Sequence, residues 1–360
     1  MRRKGVLYDV GRVLGTDWRP DYRPDLVRRE LAIIAADLHC TAVRICGRDL
    51  DRLEHAASVA LDLGMEVWFS PELWGRKAGP TLAYLATAAE AAQRLRRRAP
   101  GGVVFSVGSE LSLFMRGLLP GRTLQRRIRY ALSQPHVGRQ SGPLNAFLAS
   151  AVSVVRRVFG GPVTYSSLDF ERVDWTPFDI VGVDHYWHKL IADRYALTLR
   201  PWLATGKPVV VTEFGFRTRT GADQTGGAGP ENVAMTSALL YFTPGLRHLM
   251  MSAPTEPAGA LRRLVLPRVR TVHERNEAHQ ADSLVRQLTV LDDAGVDGAF
   301  VQTFVTPLNL HHPHPRHDLD TDCFALVKSL PRGRRGTTYP DLAWEPKRSF
   351  TAVADFYATH

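Results

Sequence analysis

Two stretches of the chain deliver a carboxylate to a place where chemistry could use it. Residues 206–216, GKPVVVTEFGF, and residues 101–111, GGVVFSVGSEL, share one grammar. Each has a glycine entry, a largely apolar run and a glutamate at its far end, Glu213 in the first and Glu110 in the second. Short β-branched runs set off by Gly and Pro predict strands buried on both faces. Two glutamates at two strand ends predict a paired-carboxylate enzyme. One carboxyl can hold a proton for a leaving atom while the other, ionised, attacks.

The elements that would position them alternate along the chain. Apolar runs at 5–10, 41–46, 66–69, 103–107, 162–166, 178–183, 209–212 and 298–304 predict strands. Helical spacing of apolar residues predicts helices at 25–38, 50–63, 81–98, 143–159, 195–205, 276–294 and 348–357. Asp49 is a candidate N-cap and Gly64 a stop for the second helix. Eight strands alternating with helices predict an α/β protein, a (β/α)8 TIM barrel. No linker interrupts residues 1–360, so one domain is expected, with inserted loops after strand 4 (111–142) and after strand 7 (217–270).

Composition narrows the class. The 360 residues are 44% hydrophobic and 23% charged, as in a globular protein. No apolar run approaches the roughly 18 residues of a membrane span. MRRKGVLYDV passes from basic residues straight into a strand without an apolar signal region, so a cytoplasmic protein is expected. Cys40, Cys46 and Cys323 are odd in number and sit in apolar contexts, which predicts reduced core thiols. The net charge of +10 comes from 40 Arg against 6 Lys. Its densest runs, 94–98 and 122–129, fall on or beside helices as solvated faces, and neither a nucleic-acid motif nor a membrane partner is indicated.

In such barrels, function gathers at the C-terminal ends of strands. Those positions here hold Asp9, Arg44, Glu72 with Trp74, Glu110, His185 with Tyr186 and Trp187, Glu213 and Phe304. Two glutamates, an arginine, a tyrosine and flat aromatic rings suit glycosidic bond cleavage, in which rings stack on sugar faces. Glu72, after Pro71, is expected to be a substrate-loop or surface carboxylate.

On Glu110 at the fourth strand end, Glu213 at the seventh, Arg44 on the second and the His185-Tyr186 pair at the sixth, the chain resembles the retaining glycoside hydrolases of clan A. The segment Trp344 to Phe350 is similar to the one before the last helix in many clan members. The resemblance implies Glu110 as acid/base, Glu213 as nucleophile, and Arg44 and Tyr186 as supports of the nucleophile. Asp9, Trp74, Ser109, His185, Trp187 and Phe304 become candidate substrate-binding residues, with Asp184, like Asp9, one layer behind. A looser likeness runs to actinobacterial proteins labelled abortive infection proteins.

Two positions depart from the clan pattern: Ser109 stands where the clan has an Asn that contacts the sugar 2-hydroxyl, and Phe304 where many members have Trp. The first implies an unusual glycoside, such as a 2-modified sugar or an aglycone held mainly by the insertions. The expected partner is a small-molecule or oligosaccharide glycoside, with hydrolysis or transglycosylation as the reaction and no cofactor.

Two other readings follow from the same chain. One is an inactive barrel that binds a glycan or acidic partner without turnover. The other is a metal-dependent hydrolase built on HHPHPRHDLDTD, with His311, His312, His314, His317, Asp318, Asp320 and Asp322. Its prolines predict an extended loop, unlike the two-His helical face of zincins, so no metal site is assigned. TGGAG at 225–229 lacks the Lys-Ser/Thr ending of a phosphate loop.

Overall fold

A computed structural model of the protein describes residues 1–14, 17–134, 141–227 and 268–360. Eight strands form it: β1 (Arg3–Asp9), β2 (Ala42–Gly47), β3 (Glu66–Pro71), β4 (Val103–Ser109), β5 (Val163–Leu168), β6 (Val181–Asp184), β7 (Val209–Phe214) and β8 (Gly298–Val301). They close into a barrel in sequence order, and β8 returns to pair in parallel with β1. The fold is a (β/α)8 TIM barrel.

The strands are nearly all apolar because both of their faces are covered. One face packs on the outer helices and the other on the barrel interior. Outside lie α1 (Pro24–Ala36), α2 (Leu50–Asp62) and α3 (Ala78–Arg98). Next come α4 (Leu111–Phe114), α5 (Leu124–Ser133), α6 (Gly142–Arg156), α7 (Tyr195–Thr198), α8 (Arg200–Leu203), α9 (Glu277–Asp293) and α10 (Arg348–Thr359). Their starts follow local chemistry. Asp49 accepts from the backbone N–H groups of Asp51 and Arg52 at the head of α2, and Asn276 accepts from His279 N–H at the head of α9. Each such cap is worth about 1 kcal/mol. Val27, Leu31 and Ile34 on α1 are fully buried, so Leu31→Ala would cost about 2–5 kcal/mol.

The lower barrel interior is plugged by a separate apolar cluster of Ala42, Trp68, Val104, Ile180, Val210 and Phe300. The rings of Trp68 and Phe300 lie 5.0 Å apart. Gly5 makes the room, since a Cβ there would come within 2.4 Å of the Phe300 ring. Arg3 closes the bottom, stacked over Trp68 at 5.5 Å and paired with Glu66 at 2.6 Å and with Asp297.

Three details differ from the sequence reading. The helix expected at 195–205 is two single turns, α7 and α8, because Pro201 cannot donate to the helical ladder and its ring crowds the preceding turn. The sixth strand starts at Val181 and the eighth stops at Val301, short of Phe304. A small antiparallel pair, β9 (Val327–Ser329) with β10 (Trp344–Pro346), adds a flap that the sequence reading did not include. The insertion at 111–142 carries α4, α5 and the start of α6, and most of the 217–270 insertion lies outside the described residues. All three cysteines are free and buried. No described helix is long and apolar enough to cross a membrane.

Candidate active site

Arg44, midway along β2, has no exposed surface and gathers the C-terminal mouth of the barrel around one cation. Its Nη1 donates to the Thr212 carbonyl at 3.0 Å and to Glu213 Oε2 at 3.3 Å. Nη2 donates to Glu72 Oε1 at 3.3 Å, and Asp184 Oδ1 lies 3.6 Å from Nη1. A guanidinium suits this position because its donors are fixed in a planar fork and its charge survives burial.

Glu213 is 8% exposed near the end of β7 and receives a second donor, the Tyr186 hydroxyl, at 2.7 Å. Burial, and then the Glu213 charge beside it, push the Tyr186 phenol well up, so it stays protonated as a donor. Gly227 backs the Tyr186 ring so closely that a Cβ there would come within 2.6 Å of it. The glycines read against a phosphate loop therefore serve close packing: Gly226 O accepts from Arg217 at 3.1 Å.

Glu110 follows β4 in a left-handed backbone conformation, φ 49° and ψ 40°. The turn beyond it is bracketed. Glu171 accepts from Ser112 N–H at 3.0 Å and from the Tyr165 hydroxyl at 2.8 Å, and that hydroxyl accepts from Leu111 N–H at 2.8 Å. Burial raises Glu110 well above the usual carboxylate range, and the charges of Asp184, Glu213 and Glu171 add to it. Register shifts interrupt the pairing of β4 with β5, β6 with β7 and β7 with β8 near these ends. Such irregularities re-aim side chains next to sites.

A second wall stands on β1 and β3. Asp9 accepts from Gly11 N–H at 2.7 Å, Arg12 N–H at 2.9 Å and Arg12 Nε at 2.7 Å, which orients Arg12. The Arg12 guanidinium lies over Trp18 at 4.8 Å and Trp74 at 5.3 Å, and Trp74 stacks on Phe114 at 3.9 Å. Glu72, expected in a substrate loop or at the surface, is only 3% exposed, paired with Arg44 and 3.8 Å from Arg12. Burial pushes it up to about 7, against the pull of both arginines.

The remaining candidates sit further back. His185 is buried, with Nδ1 2.6 Å from Asp169, Nε2 2.8 Å from Thr198 and its ring stacked on Tyr195. Trp187 stacks on the same ring, Tyr195, at 4.8 Å, with Arg286 over it. Phe304 has no exposed surface and packs among Tyr8, Trp344 and Phe350. Ser109 is buried and bonded to Asp184 at 3.0 Å.

The structure thus brings Arg44, Tyr186, Glu213 and Glu72 into direct contact, places Asp9 behind Arg12, and sets His185 and Phe304 in packed surroundings. Arg12, Asp184, Glu72 and Glu171 are the participants that sequence reasoning underrated. Only the three-residue step from Asp9 to Arg12 offered a local signal.

The His/Asp loop is spoken for by cations. Asp318 pairs with Arg275 at 3.1 Å and with His311 at 3.2 Å. Asp320 pairs with Lys347 and Arg275 at 2.9 Å each, and Asp322 with Arg217 at 3.3 Å and Arg219 at 3.2 Å. Among the described residues, no group of three or more His, Cys, Asp or Glu side chains is arranged to hold a metal ion.

The molecule is therefore a (β/α)8 barrel whose C-terminal mouth carries glutamates from β4 and β7 around a buried arginine. Solved structures share this fold. A GH113 β-1,4-mannanase superposes with a TM-score of 0.59 at 13% identity, covering 99% of each chain. The GH113 β-mannanase of Alicyclobacillus acidocaldarius gives 0.56 at 16% identity over 99% of this chain and 97% of its own. The β-D-glucuronidase of Dictyoglomus thermophilum gives 0.55 at 14% identity, with all of this chain spanning 51% of that one. No protein-family model and no curated protein matches the sequence.

Proposed function

We propose that the protein is a retaining glycoside hydrolase acting by double displacement on a β-linked glycoside, with Glu213 as nucleophile and Glu110 as acid/base. The observation that carries this reading is the contrast between the two glutamates. Glu213 accepts from Arg44 and from Tyr186, contacts that suit an attacking carboxylate. Burial, and then its negative neighbours, favour the protonated form of Glu110, which is what a leaving oxygen requires. A pair of carboxyl groups in such different surroundings divides the work of acid and nucleophile.

Trp18, half-buried and backed by Arg12 and Trp74, supplies ring surface for a sugar face. Trp74 Nε1 is buried without a hydrogen-bond partner among the described residues, a donor suited to a hydroxyl. The neighbours' activities direct the substrate search to aryl β-mannosides and β-glucuronides. Arg44 and Tyr186 hold Glu213, and a single barrel domain carries the reaction without a cofactor.

A panel of such aryl glycosides, with Glu213→Gln as control, tests the reading. We expect turnover of at least one substrate, lost by about 10⁴-fold or more in Glu213→Gln. The reducing-end product should keep its anomeric configuration. In a crystal structure the carboxyl groups of Glu110 and Glu213 should lie about 5 to 5.5 Å apart, and a separation of roughly 6.5 to 9.5 Å would overturn retention.

A further inference from the structure

The residue before each glutamate carries a hydroxyl: Ser109 precedes Glu110 and Thr212 precedes Glu213. Both hydroxyls donate to a single carboxylate. Ser109 Oγ lies 3.0 Å from Asp184 Oδ2, and Thr212 Oγ1 lies 2.6 Å from Asp184 Oδ1. Ser109 ends β4, Asp184 ends β6 and Thr212 lies on β7. β4 and β6 are not neighbours in the sheet, so the Ser109 bond reaches across the barrel and past β5. All three side chains are buried, and Arg44 sits 3.6 Å from the same carboxylate.

Resting on the glycosidase reading for the roles of the two glutamates, we propose that Asp184 is a positioning residue that clasps the strand steps carrying Glu110 and Glu213. Once ionised, its charge opposes loss of the proton from Glu110. A hydroxyl has one proton to donate. With that proton committed to Asp184, Ser109 can accept a bond from a ligand but cannot give one. Its service is to hold the turn on which Glu110 stands.

The groups facing Glu110 are Asp184 from β6, Glu213 from β7, Glu171 from the segment after β5, Tyr186 from the segment after β6 and the cation Arg44 from β2. After burial itself, Asp184 is the strongest influence raising Glu110. Asp184 is itself pushed up to about 8 by its burial, against the pull of Arg44, so the two carboxyls titrate as an interacting pair and Asp184 acts on Glu110 once it has ionised. Asp184→Asn preserves the outline of the side chain and an oxygen for Thr212 while deleting the charge. Removing a negative neighbour makes Glu110 release its proton more readily.

The experiment compares the full-length wild type with Asp184→Asn, with glutamate carboxyl carbons labelled and titrated by NMR; the Glu110 signal is assigned from its absence in Glu110→Gln. We expect the Glu110 midpoint to fall by about one pH unit or more in Asp184→Asn. The alkaline limb of the pH–rate profile should move to lower pH by the same amount, because the acid must be protonated to act. A midpoint that stays in place, whatever happens to the rate, overturns the electrostatic role.

Ser109→Ala with Thr212→Val opens the clasp with the charge retained and covers the case in which Asp184→Asn does not fold. A roughly tenfold drop in kcat at nearly constant KM is expected, and undiminished kcat would sink the positioning role. If Glu110→Gln and Glu213→Gln leave turnover intact, the glycosidase reading falls. The substrate-free NMR titration then still decides what Asp184 does to Glu110.

Discussion

The two ends of the barrel use the same ingredients to opposite effect. At the bottom, Arg3 faces Glu66 and Asp297, whose side chains are 22% and 25% exposed. At the top, Arg44 faces Glu72, Asp184 and Glu213 at 0%, 0% and 11% exposure. Water solvates the lower carboxylates, so the cluster closes the barrel at little electrostatic cost. The upper group holds three carboxylates against one buried cation, with Glu110 nearby and Arg12 balancing only Asp9 and part of Glu72. Burying that many acids is unfavourable for folding, since each loses hydration that a single guanidinium cannot replace. Such a concentration of buried acids around one cation marks a candidate site for moving protons and stabilising developing charge.

The contrast can be pushed from its strongest point to its weakest. Arg44→Met should lower stability by about 3–5 kcal/mol, measured by urea denaturation at pH 8 or above, because it removes the buried cation shared by Glu213, Glu72 and Asp184. Loss of only about 1 kcal/mol would mean that the mouth is better solvated than its burial implies.

Glu72→Gln should change the pH dependence of stability. The folded chain binds the Glu72 proton up to about 7, while an unfolded chain releases it near 4.5. Between those values the folded state holds more protons, so stability falls as pH rises through the window. The variant should lose that decline, gaining about 3 kcal/mol relative to wild type at pH 8 compared with pH 4.

Arg3→Ala is the lower-end counterpart. With partners that reach water, it should cost about 1–2 kcal/mol, largely in lost packing on Trp68, and leave glycoside turnover unchanged. A cost equal to that of Arg44→Met would erase the distinction between the two ends.

Much of this was legible in the chain because it is local. The β-branched run before Glu213, the Gly-Gly entry before Val103, the Asp49 cap and the alternation of the two periods are all short-range features, and they lead to the barrel. The pairing of Arg44 and Tyr186 with Glu213 was legible only through the resemblance to clan A. What escaped depends on closure. Asp184 lies 75 residues from Ser109 and 28 from Thr212 in sequence, and their shared carboxylate exists only once β4, β6 and β7 surround one lumen. Glu72 looked like a loop carboxylate because Pro71 precedes it, yet it is buried against Arg12 from the loop after β1 and Arg44 from β2. The β9–β10 pair escaped for another reason: three-residue strands are too short for a period of two to register.

The backbone at Glu110 carries a consequence for how such a protein can change. A non-glycine residue at φ 49° pays roughly 1–2 kcal/mol for its Cβ. Glycine would adopt that conformation freely, so Glu110→Gly should melt at a higher temperature than Glu110→Gln in a calorimetric scan. Drift toward a more robust chain therefore runs straight through loss of the carboxylate, and a glutamate here persists only while something selects for what it does.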